Sequence, residues 1–176
     1  MKNIISIGGS TSKKSINKLL AEYAADLVKN VAVTKIDLND FEMPIYSVDL
    51  EAEIGFPKST QSLNAIIENS DGIVISLAEH NGAYSSAFKN IFDWLSRMDG
   101  KVWKNKPMLL LSTSPGVRGG ASVLEIAKNR FPFNGGNIIG SMTFPSFYEN
   151  FIEEDVVNTK LKTKMLDIVT AFQNEL

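Results

Sequence analysis

Residues 1–18 constrain the fold of this chain more than any other segment. An apolar run, Ile4–Ile7, leads directly into Gly8 and Gly9, then into hydroxyl-bearing residues, and then into a helical pattern that begins near Ser15. A strand that ends in glycines just before a helix exposes several backbone N–H groups to one point, where the positive end of the helix dipole adds to them. The segment therefore predicts a phosphate-binding loop of the kind that opens several nucleotide-binding folds.

This loop matches neither of the two most familiar nucleotide-binding motifs. A Walker A loop ends in Gly-Lys-Ser/Thr, and no glycine precedes Lys13 or Lys14 here. The dinucleotide fingerprint needs three spaced glycines, whereas this loop has two adjacent ones. Hydroxyl side chains that surround a phosphate favour a terminal monoester over a pyrophosphate bridge, so we predict flavin mononucleotide (FMN) as the ligand. The predicted phosphate-binding residues are Gly9, Ser10, Ser12, Ser15, Ile16 and Asn17.

Composition and charge exclude several classes of protein. The chain of 176 residues has the length of one ordinary domain, and we expect residues 1–176 to form a single domain. Its 18 basic and 20 acidic side chains leave a net charge of −2, which gives no electrostatic basis for binding nucleic acid or an anionic membrane. The absence of cysteine and the single histidine, His80, argue against disulfides, a thiolate nucleophile and a metal site. Without an apolar stretch of signal-peptide length, we expect a cytoplasmic protein.

Short apolar runs alternate with amphipathic stretches, which is typical of β-α-β units around a buried parallel sheet. The predicted strands are Lys2–Ile7, Val31–Asp37, Gly72–Leu77, Pro107–Thr113 and Asn137–Met142. The predicted helices are Ser15–Lys29, Ser59–Asn69, Ser86–Met98, Ala121–Arg130 and Glu153–Leu176. In the last helix, a stripe of apolar residues is expected to pack on the sheet: Val157, Leu161, Met165, Ile168 and Phe172. Residues 39–58 are expected to form a long, partly irregular connection.

These elements predict an α/β fold, a flavodoxin-like three-layer sandwich with a five-stranded parallel sheet of order 2-1-3-4-5. In that order the chain direction across the sheet reverses between strands 1 and 3. The loops after strands 1, 3 and 4 are therefore expected to converge at the carboxyl edge of the sheet and to share one ligand.

Motifs in these loops resemble the NADPH-dependent FMN reductase family. That family opens with Gly-Ser-x-Arg-x-x-Ser-x-Asn and later has Pro-Glu-Tyr-Asn-Gly-Ser before a helix with Leu-Lys-Asn-Ala-Ile-Asp-Trp-Leu-Ser. It also has Leu-Pro-x-Tyr-x-x-Asp-Leu-Glu after strand 2 and Ser-x-Ser-x-Gly-x-x-Gly-Gly after strand 4. The matching segments here are Gly9–Asn17, Met43–Glu51, Glu79–Gly82, Lys89–Ser96 and Ser112–Gly120. The chain thus resembles the family from Ile4 to about Gly120.

The resemblance implies an NAD(P)H-dependent FMN reductase-type oxidoreductase. FMN would take a hydride from NADPH or NADH at N5 and pass electrons to a flavin, quinone, azo compound or similar acceptor by a ping-pong mechanism. It implies no catalytic side chain and no metal. The flavin ring would lie between two loops, whose predicted contact residues are Glu79, His80, Asn81, Gly82, Ser112, Thr113, Ser114, Pro115, Gly116 and Gly119. We also expect a homodimer or homotetramer, from the aromatic helix Phe88–Trp94 and the segment 39–58.

Three departures from the family pattern bear on the site. Ser12 stands where the family has the arginine that pairs with the flavin phosphate, so neutralisation would rest on backbone amides and on Lys13 or Lys14. Ala78 replaces proline and His80 replaces tyrosine, and His80 either lines the flavin or faces solvent. Two alternatives stay open: a flavodoxin-like electron carrier, which the small net charge disfavours, and a flavin-free interaction or regulatory protein, which Ser12 supports.

Overall fold

The computed structural model describes all 176 residues, and its elements alternate as expected. The strands are β1 (Lys2–Gly9), β2 (Val31–Ile36), β3 (Gly72–His80), β4 (Ala83–Tyr84), β5 (Pro107–Thr113), β6 (Asn137–Phe144), β7 (Phe151–Ile152) and β8 (Asp155–Val156). The helices are α1 (Ile16–Asp26), α2 (Val48–Ile54), α3 (Lys58–Glu68), α4 (Ser86–Met98), α5 (Ala121–Arg130), α6 (Phe147–Asn150) and α7 (Thr159–Asn174). Two 3-10 turns cover Leu38–Asp40 and Phe131–Asn134.

The central sheet has the strand order β2-β1-β3-β5-β6, and every neighbouring pair along that path is parallel. Counted as the parallel strands only, this is the predicted order 2-1-3-4-5, so the prediction is confirmed. Strand β4 adds a short antiparallel pairing to the end of β3, and β7 and β8 form a separate hairpin. The reversal of direction between β1 and β3 places the loops after β1, β3 and β5 side by side.

The sheet is covered on both faces, which confirms the three-layer sandwich. Successive residues of β1 point to opposite faces, so Ile4 joins one buried cluster and Ile5 joins the other. One cluster packs the sheet against α3, α4 and α5, and the other packs it against α1 and α7. The aromatic residues of α4, Phe88, Phe92 and Trp94, are buried in the first layer as core residues.

The prediction of the last helix was wrong at its start. Helix α7 begins at Thr159 rather than Glu153, because the side chain of Asn158 accepts hydrogen bonds from the backbone N–H groups of Lys160 and Leu161 and caps the helix there. The residues before the cap form the β7–β8 hairpin instead. Val157 consequently lies outside the helix and is 52% exposed. In the apolar stripe of α7, Val169 is buried together with Met165 and Phe172.

Helix α4 fixes the long connection that follows β2. The Nε1–H of Trp94 donates to the carbonyl of Pro44 at 2.8 Å, and the Oδ1 of Asn90 accepts from the backbone N–H of Tyr46 at 2.8 Å. Residues at positions i and i+4 lie on one helix face, so these two side chains hold the same irregular segment. The Asn and Trp of the helix motif therefore position residues 43–46. No helix is long and apolar enough to cross a bilayer.

Candidate functional site

Three loops converge at the carboxyl edge of the sheet around a cavity of about 220 Å³, which we call the cradle. Its lining residues are Ser10, Ser12, Lys14, Ser15, Ile16, Asn17, Ala78, Glu79, His80, Thr113, Ser114, Pro115 and Tyr148. Residues 10–17 follow β1, residues 78–80 end β3, and residues 113–115 lie at the end of β5 and just after it. Tyr148 lies on α6. The structure thus brings together most of the residues that the sequence predicted to share a ligand. Gly9, Asn81, Gly82, Ser112, Gly116 and Gly119 do not line this cavity.

The β1–α1 loop supplies hydrogen-bond donors that no protein group accepts. The backbone N–H groups of Thr11, Lys13, Lys14, Ile16 and Asn17 donate no hydrogen bond within the protein. They cluster at the N-terminus of α1, where the helix dipole is positive. Gly8 permits this placement, because a Cβ there would lie 2.6 Å from the Cα of Lys18. The close approach of α1 to β1 therefore requires glycine and brings the helix N-terminus to the strand end.

Serine hydroxyls order the same loop. Ser15 is the N-cap of α1, and its Oγ accepts from the backbone N–H of Lys18 at 3.1 Å. The Oγ of Ser10 accepts from the N–H of Ser12 at 3.1 Å. Each hydroxyl keeps its own proton to donate, because it acts as acceptor in these bonds. Both serines line the cradle, so both can donate to an anion bound in it.

Asn17 connects α1 with β3 and β5, and its side chain is buried. Its Nδ2 donates to the carbonyl of Thr113 at 3.1 Å, and its Oδ1 accepts from the N–H of Thr113 at 3.0 Å and from the Oγ of Ser76 at 2.7 Å. Ser76 lies on β3 and Thr113 ends β5, so one amide connects α1 with both neighbouring strands. The side chain of Asn17 therefore positions the cradle walls.

The second loop is a tight hairpin. Strand β3 continues to His80, and Asn81 and Gly82 have φ values of 52° and 77°, as a two-residue type I′ turn requires. The Asn-Gly pair is the usual sequence signal for that turn. Because β3 continues to His80, the loop has only two residues and is shorter than the loop predicted to start at Ala78. Asn81 sits at the tip of the turn, away from the cradle, whereas His80 is exposed and lines it.

Two side chains anchor this hairpin at its base. The Oε2 of Glu79 accepts from the backbone N–H of Val123 at 3.0 Å, in the first turn of α5. The Oγ of Ser85, the N-cap of α4, donates to the carbonyl of Gly9 at 2.8 Å. A carboxylate at a helix N-terminus satisfies an unpaired amide and interacts favourably with the helix dipole. Glu79 thus links the second loop to the third, and Gly9 fixes the start of α4.

The third loop is closed by its own hydrogen bonds and by the segment that follows β6. The Oγ of Ser112 donates to the carbonyl of Gly119 at 2.8 Å. Gly119 has a φ of 57°, and a Cβ there would lie 2.7 Å from the carbonyl carbon of Phe144, so the position requires glycine. The carbonyl of Gly116 accepts from the N–H of Ser146 at 3.0 Å. Ser112, Gly116 and Gly119 therefore shape the loop from behind the cavity.

Tyr148 is the cradle residue that sequence reasoning missed. It lies on the short helix α6, beyond the segment that carries the family resemblance, and its phenol is 66% exposed. The backbone N–H of Phe147 donates to the carbonyl of Ser114 at 3.2 Å, which ties α6 to the third loop. No local pattern signals this role, because it arises from a contact between segments that are distant in the chain.

The lysines of the β1–α1 loop differ in their surroundings. Lys14 lines the cradle, whereas Lys13 does not, and neither forms an ion pair with a carboxylate. Lys18 instead forms an ion pair with Asp37 at the end of β2. The hydrogen bond from Lys18 lowers the pKa of Asp37 to about 2, assisted by the N–H of Asn39. Lys14 is therefore the free cation that faces the cradle, at the place where the family arginine is missing.

This fold and site define a class of protein: a doubly wound α/β protein with a cavity and unpaired backbone N–H groups at the topological switch point. A flavodoxin from Pseudomonas aeruginosa shares the fold, with a TM-score of 0.55 at 12% identity over 98% of this chain and 99% of that one. The sequence profile of the NADPH-dependent FMN reductase family matches residues 2–149. The chain belongs to this family, which confirms the resemblance seen in its motifs.

Two relatives are more similar than the flavodoxin. A quinone reductase from Escherichia coli K12 is 32% identical over 122 residues, which are 67% of this chain and 63% of that protein. The chain thus spans less than two thirds of the length of that relative. The structure of FerB, a flavoenzyme NAD(P)H:(acceptor) oxidoreductase from Paracoccus denitrificans, superposes with a TM-score of 0.80 at 29% identity, over 99% of this chain and 97% of that one.

Proposed function

We propose that this protein is an NAD(P)H-dependent oxidoreductase that binds FMN in the cradle and reduces a small organic acceptor such as a quinone. One observation carries the proposal: Lys14, Ile16 and Asn17, whose backbone N–H groups are unpaired, line the cavity that the three loops enclose. The family and the names of the quinone reductase and FerB relatives support the cofactors and the acceptor class.

The residues present fit the phosphate end of FMN. A volume of about 220 Å³ is below the roughly 300–1,000 Å³ of cavities that enclose a whole ligand, so the cradle suits a phosphate group and the adjoining polyol. Unpaired amides, the hydroxyls of Ser10 and Ser15 and the ammonium of Lys14 supply the donors that a dianionic monoester needs. The neutralising cation is then a lysine, which makes a less directional contact than the family arginine.

The chain positions the rest of the cofactor. When bound, FMN supplies the redox chemistry, accepting hydride from the nicotinamide and passing electrons to the acceptor. The Glu79–Gly82 hairpin and the Ser112–Gly119 loop flank the cradle and are placed to hold the ring. The bonds of Glu79 to α5 and of Ser112 to Gly119 constrain both loops, so backbone N–H groups of these loops would stabilise negative charge on the reduced ring without reorganising.

The reaction needs no protein nucleophile, because hydride transfer takes place between the two bound cofactors. We propose a ping-pong order in which the nicotinamide leaves before the acceptor enters the same open face of the ring. Initial rates measured at several fixed acceptor concentrations test this order. Parallel lines in double-reciprocal plots support it, and intersecting lines contradict it.

The first test is an anaerobic titration of the FMN-loaded protein with NADH and, separately, with NADPH, following the visible absorbance of the flavin. Rapid bleaching by either nucleotide, followed by recovery when a quinone is added, is the expected result and identifies the donor. Binding of FMN without bleaching would favour a flavodoxin-like carrier. Failure to bind FMN would favour a flavin-free protein.

We further propose that the protein forms a homodimer or homotetramer through the segment after β2. Ile45 and Val48 on this segment are 86% and 67% exposed, and Ile54 on α2 is half exposed. Helix α4 holds the backbone of this segment at Pro44 and Tyr46, and exposed apolar side chains on a held segment are typical of a protein interface. Sedimentation of the full chain as a 19.4 kDa monomer at micromolar concentration would contradict the proposal. A cytoplasmic location remains a prediction.

A further inference from the structure

A second cavity, of about 500 Å³, adjoins the cradle on the outer side of α1, and we call it the side cavity. Lys14, Ser15, Ile16 and Tyr148 line both cavities, so the two share one wall. The remaining lining residues of the side cavity are Lys13, Lys18, Leu19, Glu22 and Phe147. Its volume is within the range of sites for small organic ligands. Among the FMN contacts proposed above, those of Lys14, Ser15 and Ile16 lie on this shared wall.

Two cationic side chains without an ion-pair partner line the side cavity. Lys13 and Lys14 are exposed and have no carboxylate partner, whereas the ammonium of Lys18 is engaged by Asp37. The side cavity therefore has two free ammonium groups in its lining, and Lys14 is also on the wall shared with the cradle. Such groups attract a phosphate, and they are more effective as a pair than singly.

Apolar and aromatic side chains also line the side cavity. Tyr148 is 66% exposed, and Leu19 on α1 is 46% exposed. The backbone next to Tyr148 is held, because Ser146 and Phe147 donate backbone hydrogen bonds to Gly116 and Ser114 of the third loop. An exposed aromatic ring and an exposed aliphatic side chain in one cavity offer apolar surface to a flat heterocycle.

The lining of the side cavity also includes one carboxylate. Glu22 lines the side cavity one helical turn beyond Leu19, with its Oε2 3.5 Å from the Nζ of Lys35. A carboxylate accepts hydrogen bonds from ribose hydroxyls and repels a phosphate attached at the 2′ position. Phosphate, ribose and base would therefore each meet a suitable group.

We propose that the side cavity binds a 5′-phosphorylated nucleoside with free ribose hydroxyls, represented by adenosine 5′-monophosphate. The phosphate lies at Lys13 and Lys14, the ribose at Glu22 and the base against Tyr148 and Leu19. The nucleotide is either free or the adenylate half of NADH or FAD, and only these dinucleotide sources rest on the proposed flavin function. The site would then contribute to the choice of nicotinamide donor or of flavin.

The test is a calorimetric titration of the full-length protein, with and without FMN, using adenosine 5′-monophosphate. Binding is expected without FMN, and more weakly with FMN bound, because the FMN phosphate then shares Lys14. The 2′-monophosphate isomer is expected to bind at least tenfold more weakly than the 5′-nucleotide. Lys13→Ala should weaken binding of the 5′-nucleotide about fivefold, and Leu19→Glu should weaken it more than tenfold. Leu19→Glu should leave the affinity for FMN within twofold, because Leu19 lies outside the cradle and outside the β1–α1 loop.

Matched controls come from α7, which lines neither cavity. Leu166→Glu makes the same change as Leu19→Glu at a leucine that is 43% exposed, and Lys164→Ala matches Lys13→Ala. Both controls should bind the nucleotide like the wild type. Absence of binding, or binding that Lys13→Ala and Leu19→Glu leave unchanged, would overturn the proposal. A Leu19→Glu protein that does not fold leaves the Lys13→Ala result as the deciding measurement.

The source of the nucleotide is distinguished by three readouts in Leu19→Glu. A loss of tighter binding of FAD relative to FMN assigns the site to FAD. A rise in the half-saturating NADH concentration, together with competition by adenosine 5′-monophosphate, assigns it to NADH. Loss of nucleotide binding without either effect assigns it to a free nucleotide. A protein that does not bind FMN but binds the nucleotide would contradict only the proposed function.

Discussion

The side chain of Asn17 and the backbone of Thr113 exchange two hydrogen bonds across the carboxyl edge of the sheet. The Nδ2 of Asn17 donates to the carbonyl of Thr113, and the N–H of Thr113 donates to the Oδ1 of Asn17. This reciprocal pair sets the distance between the N-terminus of α1 and the loop after β5. The width of the cradle therefore depends on an amide side chain that is itself buried.

Replacing Asn17 should therefore destabilise the whole protein. Asn17→Ala removes three hydrogen bonds and leaves the buried polar groups of Thr113 without partners, so we expect the free energy of unfolding to fall by about 2–4 kcal/mol. Urea denaturation followed by circular dichroism measures this change. Ser76→Ala, which removes one of the three bonds, should cost only about 1 kcal/mol. Equal effects of the two variants would contradict the shared-anchor role of Asn17.

Restoring the family arginine should tighten FMN binding. Ser12 is exposed and lines the cradle, so a guanidinium introduced by Ser12→Arg can reach the bound phosphate. A charge-assisted, bidentate contact should lower the dissociation constant about tenfold, or about 1.4 kcal/mol. Fluorescence quenching of FMN at low and high salt gives the constants.

Ser62→Arg is the control for this gain. It adds the same charge at an exposed serine of α3, away from the cradle. We expect its affinity for FMN to match that of the wild type. If both arginine variants bind FMN equally well, net charge rather than a phosphate contact explains the effect.

The β7–β8 turn carries strain that can be relieved. Glu153 and Glu154 have φ values of 50° and 63°, which a two-residue turn between Ile152 and Asp155 requires but which glutamates adopt reluctantly. Changing Glu153→Asn together with Glu154→Gly should raise the free energy of unfolding by about 1 kcal/mol. For a chain of this length the melting temperature should rise by roughly 2–4 °C.

A paired substitution separates backbone strain from charge repulsion in this turn. Glu153→Gln with Glu154→Gln removes the same two charges but keeps side chains that disfavour positive φ. We expect no gain in melting temperature from this variant. A gain as large as that of the Asn-Gly variant would show that repulsion between the glutamates, and not the backbone, is the source of strain.

The ion pair between Lys18 and Asp37 should make stability depend on pH in the acid range. Asp37 has a pKa lowered to about 2 in the folded protein, so the unfolded chain binds its proton more readily. The stability it contributes is complete above its ordinary pKa of 3.8 and is lost as the pH falls towards about 2. We expect Asp37→Asn to cost about 1 kcal/mol at neutral pH.

The difference in stability between the wild type and Asp37→Asn should shrink steadily as the pH is lowered below about 4. Urea denaturation at a series of acid pH values measures it. Asp167→Asn, at an exposed position of α7 without an ion pair, should track the wild type at every pH. A constant difference for Asp37→Asn across this range would contradict the lowered pKa.

Much of the fold was predictable because its signals are local. The strand order and the bounds of α4 and α5 agree with the sequence prediction, since each element carries its own periodicity. The last helix was predicted too long because Asn158, a single capping residue, outweighs the apolar pattern before it. The Asn81–Gly82 turn was present in the sequence as a hairpin signal, yet the apolar run before it suggested an earlier strand end.

The candidate site was predictable only in part, because local sequence does not show which way a side chain faces. The three loops were expected to converge, and the cradle confirms that they do. Lys13 and Lys14 are equivalent in sequence, yet only Lys14 lines the cradle. Tyr148 enters it from a segment without a recognisable motif. Whether each cradle residue contacts FMN remains a prediction.

The sequence by itself determined the class of fold and the family, and it predicted a phosphate loop, because periodicity and short motifs are properties of neighbouring residues. The tertiary structure decided what each loop residue does. Asn17 lies 96 positions from Thr113 in the chain, and their contact exists only once the sheet has assembled. The same assembly brings Tyr148 to the wall shared by the cradle and the side cavity. Contacts between distant segments, which no local pattern encodes, thus separate residues that position the site from residues that face a ligand.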